Sequence, residues 1–373
     1  MMQQGSTAPR FESLPAAPFY YGLVLTGIAT VLLGPILPIL SSRWSLTDVQ
    51  GGWLFTAQFS ASILGSAISS YYPRKSVALG CASIAAGLAL LAVGDYRAAL
   101  LAFVLIGAGI GAAVSAINLI FGTEYPERRG SLLTRVNLCW GLGAVVCPEM
   151  VALAERAHAL RLFLLSLTLC AFVAFVFFTP LLRRASGLLP TPDALSYAPA
   201  SAPRFDARIF LLFSLILFFY VGAETTIAGW IATYAHRLTG LSIERASVFV
   251  SAFWLAVVAG RGVVVLLLRS FSERVVLLGG LTVAMAGIAT LLFPHSPETA
   301  FLTVVGVGLG CAPIFPLSVS KMLARTGRTR HAGWIFAICS LGGAVVPWIT
   351  GVISQYSGGL REAFLAPLGA LVG

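Results

Sequence analysis

Charge is what this sequence has least of. Asp, Glu, Lys and Arg make up 10% of its 373 residues, against about 25% in an ordinary soluble domain. Acidic residues are scarcest, 14 against 24 Lys and Arg. With so few charges a water-facing surface cannot be built, and the 58% of hydrophobic residues gather in runs close to the ~20 residues that cross a bilayer as a helix. Cysteine in loops is missing too. Cys81, Cys139, Cys147, Cys170, Cys311 and Cys339 all fall inside apolar runs without paired spacing, which argues against a disulfide framework or a metal site. Histidine is confined to span ends and loops (His158, His236, His295, His331), which excludes a mid-membrane histidine relay. No cleavable signal is read at the start: residues 1–17 are a short polar leader, and the first apolar run is too long for a signal core. No metal-ligand cluster, Ser/His/Asp set or phosphate loop occurs, so no enzyme and no cofactor is expected, and a receptor that binds without transport is equally disfavoured.

What is present is a series of apolar spans, expected near 18–41, 48–71, 76–94, 98–121, 131–152 and 160–180, then 208–235, 246–268, 275–293, 299–320, 332–354 and from about 361 to the end. The last is short. Ala363 to Gly373 rises ~16 Å as a helix against ~30 Å of hydrocarbon, so it is either truncated or leans on its neighbours. Leu181–Asp206, with Pro190, Pro192, Pro199, Pro203 and several arginines, reads as a linker. The expected units are therefore 1–180, a cytoplasmic linker 181–206, and 207–373.

The net charge of +10 is no nucleic-acid footprint, because the arginines sit in short loops where they set orientation. One set of loops carries Arg74, Lys75, Arg128, Arg129, Arg183, Arg184, Arg204, Arg269, Arg274, Lys321, Arg325, Arg328 and Arg330. The alternate set carries Arg43, Arg97, Arg156, Arg161, Arg237, Arg245 and Arg361, several offset by Asp48, Asp95, Glu155, Glu244 and Glu362. The first set is expected to be cytoplasmic, as are both termini if the last helix spans, with the chain in the cytoplasmic (inner) membrane.

The halves repeat. Gly107-x-Gly109-x-Gly111 recurs as Gly306-x-Gly308-x-Gly310, an offset of 306 − 107 = 199. Gly143-Ala-Val-Val-Cys-Pro148 recurs as Gly343-Ala-Val-Val-Pro347, an offset of 343 − 143 = 200, and Gly65 is echoed by Gly260. An even number of spans per half makes the repeats parallel, related by an axis along the membrane normal.

Several residues stand out against this background. Glu224 lies within Phe218–Tyr234, an apolar span, where insertion scales charge roughly 2.5–3.5 kcal/mol for such a group. Desolvation disfavours the charged form of any carboxylate, which suits a proton carrier; the competing reading is a structural ion pair with Arg261. In the same span Gly222 and Gly229, and in the tenth Pro313 and Pro316, mark expected helix breaks, where transporters free backbone carbonyls. Trp53 and Trp348 read as interfacial anchors, Glu149 as either a coupling group or a residue facing water, and Arg135 as a cytoplasmic-end residue that snorkels or pairs with Glu127.

Tyr220-Val-Gly-Ala-Glu224 with Gly229-Trp230, Tyr125-Pro-Glu-Arg-Arg-Gly130, Asn137-x-x-x-Gly141-Leu-Gly143-Ala and Gly260-Arg261 through Leu268-Arg269 together resemble the major facilitator superfamily over essentially the whole chain. The branch they are most similar to is that of fucose, galactose and glucose symporters. One motif departs. The family's loop after the second span carries an aspartate, whereas here Gly65 is followed by Ser69, Tyr72, Pro73, Arg74 and Lys75; Gly260-Arg261 through Glu273-Arg274 keeps charge in the second half.

The resemblance implies an all-α membrane fold of two six-helix bundles around a central cavity, working as a monomer in lipid, with a sugar and H+ or Na+ as partners. It places the second, fourth and fifth spans at that cavity. Gln58, Ser115, Asn118, Asn137 and Trp140 become candidate sugar contacts, since an indole takes a sugar's apolar face and amides take its hydroxyls. Helix–helix hydrogen bonding is the alternative role for the amides. Glu224, Trp230, Trp254 and Trp334 complete the candidate substrate site, the tryptophans being equally readable as packing, with Glu224, Arg261 and Glu149 as coupling candidates. A rival function within the family is efflux of drugs or organic anions, which would want a cavity Arg or Lys such as Arg261.

Overall fold

The computed structural model describes residues 16–124, 129–184, 206–293, 296–326 and 330–372, and these are helical almost throughout. In chain order the helices are α1 (Ala16–Val31), α2 (Leu33–Trp44), α3 (Asp48–Tyr71), α4 (Pro73–Val93), α5 (Tyr96–Glu124), α6 (Arg129–Arg156) and α7 (Leu160–Arg184). After the linker come α8 (Ala207–Thr239), α9 (Ile243–Leu267), α10 (Glu273–Thr290), α11 (Pro297–Cys311), α12 (Ile314–Thr326), α13 (Arg330–Ser357), α14 (Leu360–Ala363) and α15 (Leu365–Val372). Most of the expected linker lies outside the described residues; its last residue, Asp206, caps α8 by accepting from the Arg208 and Ile209 amides. Among the described residues nine spans are long and apolar enough to cross a membrane, and the bent pair α1–α2 makes a tenth. The remaining elements, α3 and the short α14–α15, complete two six-helix bundles.

Local chemistry explains the element ends. Thr47 and Gln50 form a reciprocal capping box at the start of α3, satisfying two amides that a helix start leaves open. Gly240, at φ 69°, ends α8 in the left-handed conformation that glycine adopts without cost. The first span is bent by 42° between α1 and α2, a break the apolar run did not reveal. Its cause is Pro35, which lacks the N–H for the Val31 carbonyl and crowds that carbonyl with its ring. The break expected at Pro313 and Pro316 is present: α11 ends at Cys311 and α12 starts at Ile314.

The expectation for α8 is corrected. It runs unbroken for 33 residues through Gly222 and Gly229, because an interior glycine costs only ~1 kcal/mol while an opened ladder in an apolar setting costs several. These glycines admit neighbours instead. A Cβ on Gly222 would strike Val346 of α13, and one on Gly229 the Phe55 ring of α3.

The glycine repeats are backbone seams. A Cβ at Gly107 or Gly111 would run into the Gln58 or Ser62 carbonyl of α3, and one at Gly109 into the Gly80 carbonyl of α4. In the second half Gly308 faces the Phe253 carbonyl of α9, Gly310 faces the Gly280 carbonyl of α10, and Gly306 meets nothing within 4 Å. Matched by packing role, then, Gly109 corresponds to Gly310 (310 − 109 = 201) rather than to Gly308. Similarly Gly143, against the Val24 carbonyl of α1, corresponds to Gly342, against the Phe218 carbonyl of α8 (342 − 143 = 199), not to Gly343. The repeat finds the seams but not their register. Gly111→Val should therefore pry α3 from α5 and destabilise the protein by about 1–3 kcal/mol, whereas Gly306→Ala should change stability by less than about 1 kcal/mol. Thermal melting in micelles separates the two, and equal shifts would contradict the seam assignment.

The halves join through packed pairs α2–α8, α2–α9, α3–α13 and α6–α9, whereas α5 and α12 form no such pair among the described residues. The joined region runs from the Asp48 end to the middle of the spans. There the Trp230 ring of α8 packs on Phe55 of α3 at 6.1 Å, and Thr56 of α3 donates to the Ala344 carbonyl of α13 (2.9 Å). Trp53 and Trp348, read as interfacial anchors, lie ring to ring at 5.3 Å across this seam. The two rings pack on each other between the halves, and the Trp348 Nε1 is buried without a hydrogen-bond partner.

Candidate functional site

Glu224 sits midway along α8, one turn after Tyr220. The Tyr220 hydroxyl lies 2.7 Å from Glu224 Oε1 and 3.0 Å from the Cys311 carbonyl at the α11–α12 break. Tyr220 is buried, packed on the Phe315 ring of α12, and Glu224 is half-buried. The ion pair weighed for Glu224 does not form: no ionic contact within 4.0 Å joins it to Arg261, and the Arg261 Nε is buried without a hydrogen-bond partner. Arg261 acts on Glu224 only at longer range. The carboxylate thus takes a phenol as its close partner, which leaves it free to change protonation state without stranding a paired cation.

The other candidates divide. Gln58 is buried; its Nε2 donates to the Thr30 carbonyl of α1 (3.0 Å), while its Oε1 has no partner. Trp254 is buried with its Nε1 likewise unpartnered, and its ring meets Trp140 edge-on at 5.4 Å across the α6–α9 contact. A hydroxyl-rich ligand supplies both donors and acceptors, which is what two such orphaned groups demand. Asn118 and Asn137 donate back to the Val114 and Leu133 carbonyls of their own helices, so neither ties its helix to a neighbour through that amide nitrogen. Asn137 is exposed and Asn118 half-buried. Ser115 donates to Ser66 Oγ of α3 (3.0 Å).

Three candidates lie apart. Trp230 is 1% exposed and committed to Phe55 and the Pro347 carbonyl. Trp334, near the start of α13, is 58% exposed, and Glu149 is exposed on α6. Arg135 is exposed; its expected partner Glu127 lies outside the described residues. The charge kept in the second half takes the form of a Lys321–Glu273 contact at 3.9 Å between α12 and α10. No group of three or more His, Cys, Asp or Glu side chains gathers among the described residues, and all six cysteines are free.

Two features escaped the sequence reading. One is Tyr220 itself, though its spacing of four from Glu224 puts both on one helix face. The other is a cluster at the closed end. Asp48 of α3 accepts from Arg237 Nη1 of α8 through both oxygens (2.8 and 3.0 Å) and from Ser354 Oγ of α13 (2.6 Å). The Val49 amide alongside donates to Gln355 Oε1 (3.4 Å). In the sequence Asp48 and Arg237 read only as loop charges on one face, since their pairing has no sequence period.

Comparison with known proteins agrees with this architecture. Sodium-dependent glucose transporter 1A of Mus musculus is 21% identical over 95% of this chain and 92% of its own. A putative glucose/galactose transporter of Helicobacter pylori is 23% identical over 95% and 91%, and the fosmidomycin resistance protein of Escherichia coli is 24% identical over 76% and 71%. Among solved structures, a bacterial homologue of the human lysosomal transporter Spinster superposes with a TM-score of 0.75 at 16% identity, covering 95% of this chain and 94% of that one. The family model described as Major Facilitator Superfamily matches residues 19–347. The chain is therefore a multi-pass membrane transporter belonging to the Major Facilitator Superfamily.

Proposed function

We propose that this transporter carries a monosaccharide or similar polyol by alternating access, coupled to proton movement through Glu224. The observation that carries the reading is the Glu224–Tyr220 contact: an intramembrane carboxylate held by a phenol and not by a cation is chemically equipped to bind and release a proton. The unpartnered Gln58 Oε1 and Trp254 Nε1 supply an acceptor and a donor for sugar hydroxyls, with the Trp140–Trp254 pair as an aromatic wall. Asn118 and Asn137 join the site on rotating away from their own backbones. Two relatives named for glucose or galactose, at low identity, support the substrate class. The units 1–180 and 207–373 rock about the linker 181–206. The Asp48 end is the extracytoplasmic one, so this conformation faces inward, with both termini in the cytoplasm and the chain acting as a monomer in the cytoplasmic membrane.

Efflux of an organic anion is the second reading, favoured by the unpartnered Arg261 Nε and by the relative named for fosmidomycin resistance. Uptake of labelled hexoses into proteoliposomes decides between them. Accumulation driven by an imposed pH gradient is expected. Accumulation driven only by Na+ would move the coupling ion, and no gradient-driven accumulation of any hexose would overturn the sugar reading.

A further inference from the structure

A phenol carries one proton, yet the Tyr220 hydroxyl reaches two acceptors, Glu224 Oε1 and the Cys311 carbonyl. It donates to one at a time. When Glu224 is a carboxylate, the charged oxygen is the stronger acceptor and takes the Tyr220 proton, leaving the carbonyl without a donor. When Glu224 is protonated, its own O–H donates to the Tyr220 oxygen, and Tyr220 turns its proton to Cys311. That carbonyl belongs to the last residue of α11, and across the break the Phe315 amide, its regular i+4 donor, does not bond to it. Among the described residues the donor it finds is Tyr220.

We propose that Tyr220 is a positioning residue that converts protonation of Glu224 into attachment of the α11–α12 break to α8. The proton enters at the exposed edge of Glu224; Tyr220 keeps its own and only redirects it. The carbonyl is tethered in the protonated state and released in the charged one, so the tenth span is held or freed according to the coupling proton. This deepens the reading of Glu224 as the coupling carboxylate and rests on it. Tyr220 faces Glu224 from its own helix, Arg261 from α9, and the Cys311 and Cys339 thiols from α11 and α13. Among the described residues α2, α12, α14 and α15 present no titratable group to it.

The test is hydrogen–deuterium exchange of the full chain in lipid nanodiscs without substrate. The Ala312 and Leu317 amides report, since they bond to Gly308 and Pro313 on either side of the break (3.2 and 3.1 Å). After correction for intrinsic exchange, opening in the wild type should be about fivefold more frequent at about pH 9 than at about pH 5, the scale of one hydrogen bond. Glu224→Gln, whose amide donates to Tyr220 as the protonated acid does, should stay protected at both. Tyr220→Phe should be open at both. A wild type with equal protection at the two pH values, Glu224→Gln open at both, or wild-type pH dependence persisting in Tyr220→Phe, each overturns the relay. If Tyr220→Phe fails to fold, the first two arms decide alone. Gradient-driven hexose uptake that survives in Glu224→Gln would instead overturn the coupling role of Glu224, whatever the exchange shows.

Discussion

Proteoliposomes carrying Glu224→Gln should show no hexose accumulation under an imposed gradient of about one pH unit, where the wild type reaches about tenfold, the limit for one proton per sugar. Downhill exchange of labelled for unlabelled sugar should persist. The two results belong together. Glutamine keeps the shape of the side chain and, through its amide, a hydrogen bond to Tyr220 across the 2.7 Å contact, so the helix packing around it is undisturbed. What is lost is the ability to change charge. A carrier that cannot release its proton still exchanges sugar, since its loaded form cycles, but it no longer couples two gradients. Retained accumulation in this variant would remove Glu224 from the coupling mechanism, and loss of exchange as well would make it a substrate contact or a structural residue.

Cutting the cluster at the other end of α8 should redistribute conformations rather than uncouple them. Asp48 is the acceptor for two Arg237 contacts and for Ser354, and its side chain is only 12% exposed beside 38% for Arg237. Asn at this position removes the charge that holds Arg237, and with its oxygen in the Oδ2 place its amide N–H group faces Arg237 Nη1, donor against donor. Such losses cost about 1–3 kcal/mol, and only the conformation closed at this end makes these contacts. The closed state should therefore lose about 5–150-fold in population relative to the open one. Spin labels on Leu46 and the exposed Tyr356, which flank the cluster from opposite halves, should show a longer distance population in Asp48→Asn. An unchanged distance distribution would mean that the Trp53–Trp348 contact and the glycine approaches hold this end shut unaided.

Much of the architecture was legible because apolar runs in this chain are bounded by arginines, prolines and a few cap residues such as Thr47 and Asp206. Periodicity and composition therefore set the helices to within a few residues. Geometry inside the spans was less legible. Pro35 lies in an uninterrupted apolar run, so its 42° bend left no mark in hydropathy, while Gly222 and Gly229 looked like breaks because glycine propensity is measured in water, where an opened ladder is cheap. For the site, the sequence offers Glu224 as an anomaly of polarity, and the structure adds its contact with Tyr220. Charge complementarity offers Arg261 on another helix as the competing partner, whereas the i,i+4 phenol at Tyr220 is the nearer donor. Asp48 with Arg237, and Gln58 with the Thr30 carbonyl, depend on how helices far apart in sequence converge.

The unequal glycine seams bear on how the two halves are free to diverge. In the first half α5 is pressed against three backbone carbonyls, those of Gln58, Ser62 and Gly80, at three successive glycines. In the second, α11 meets only the Phe253 and Gly280 carbonyls and leaves Gly306 in open space. At Gly306, therefore, α11 has room for a side chain, whereas α5 has none at Gly107, Gly109 or Gly111.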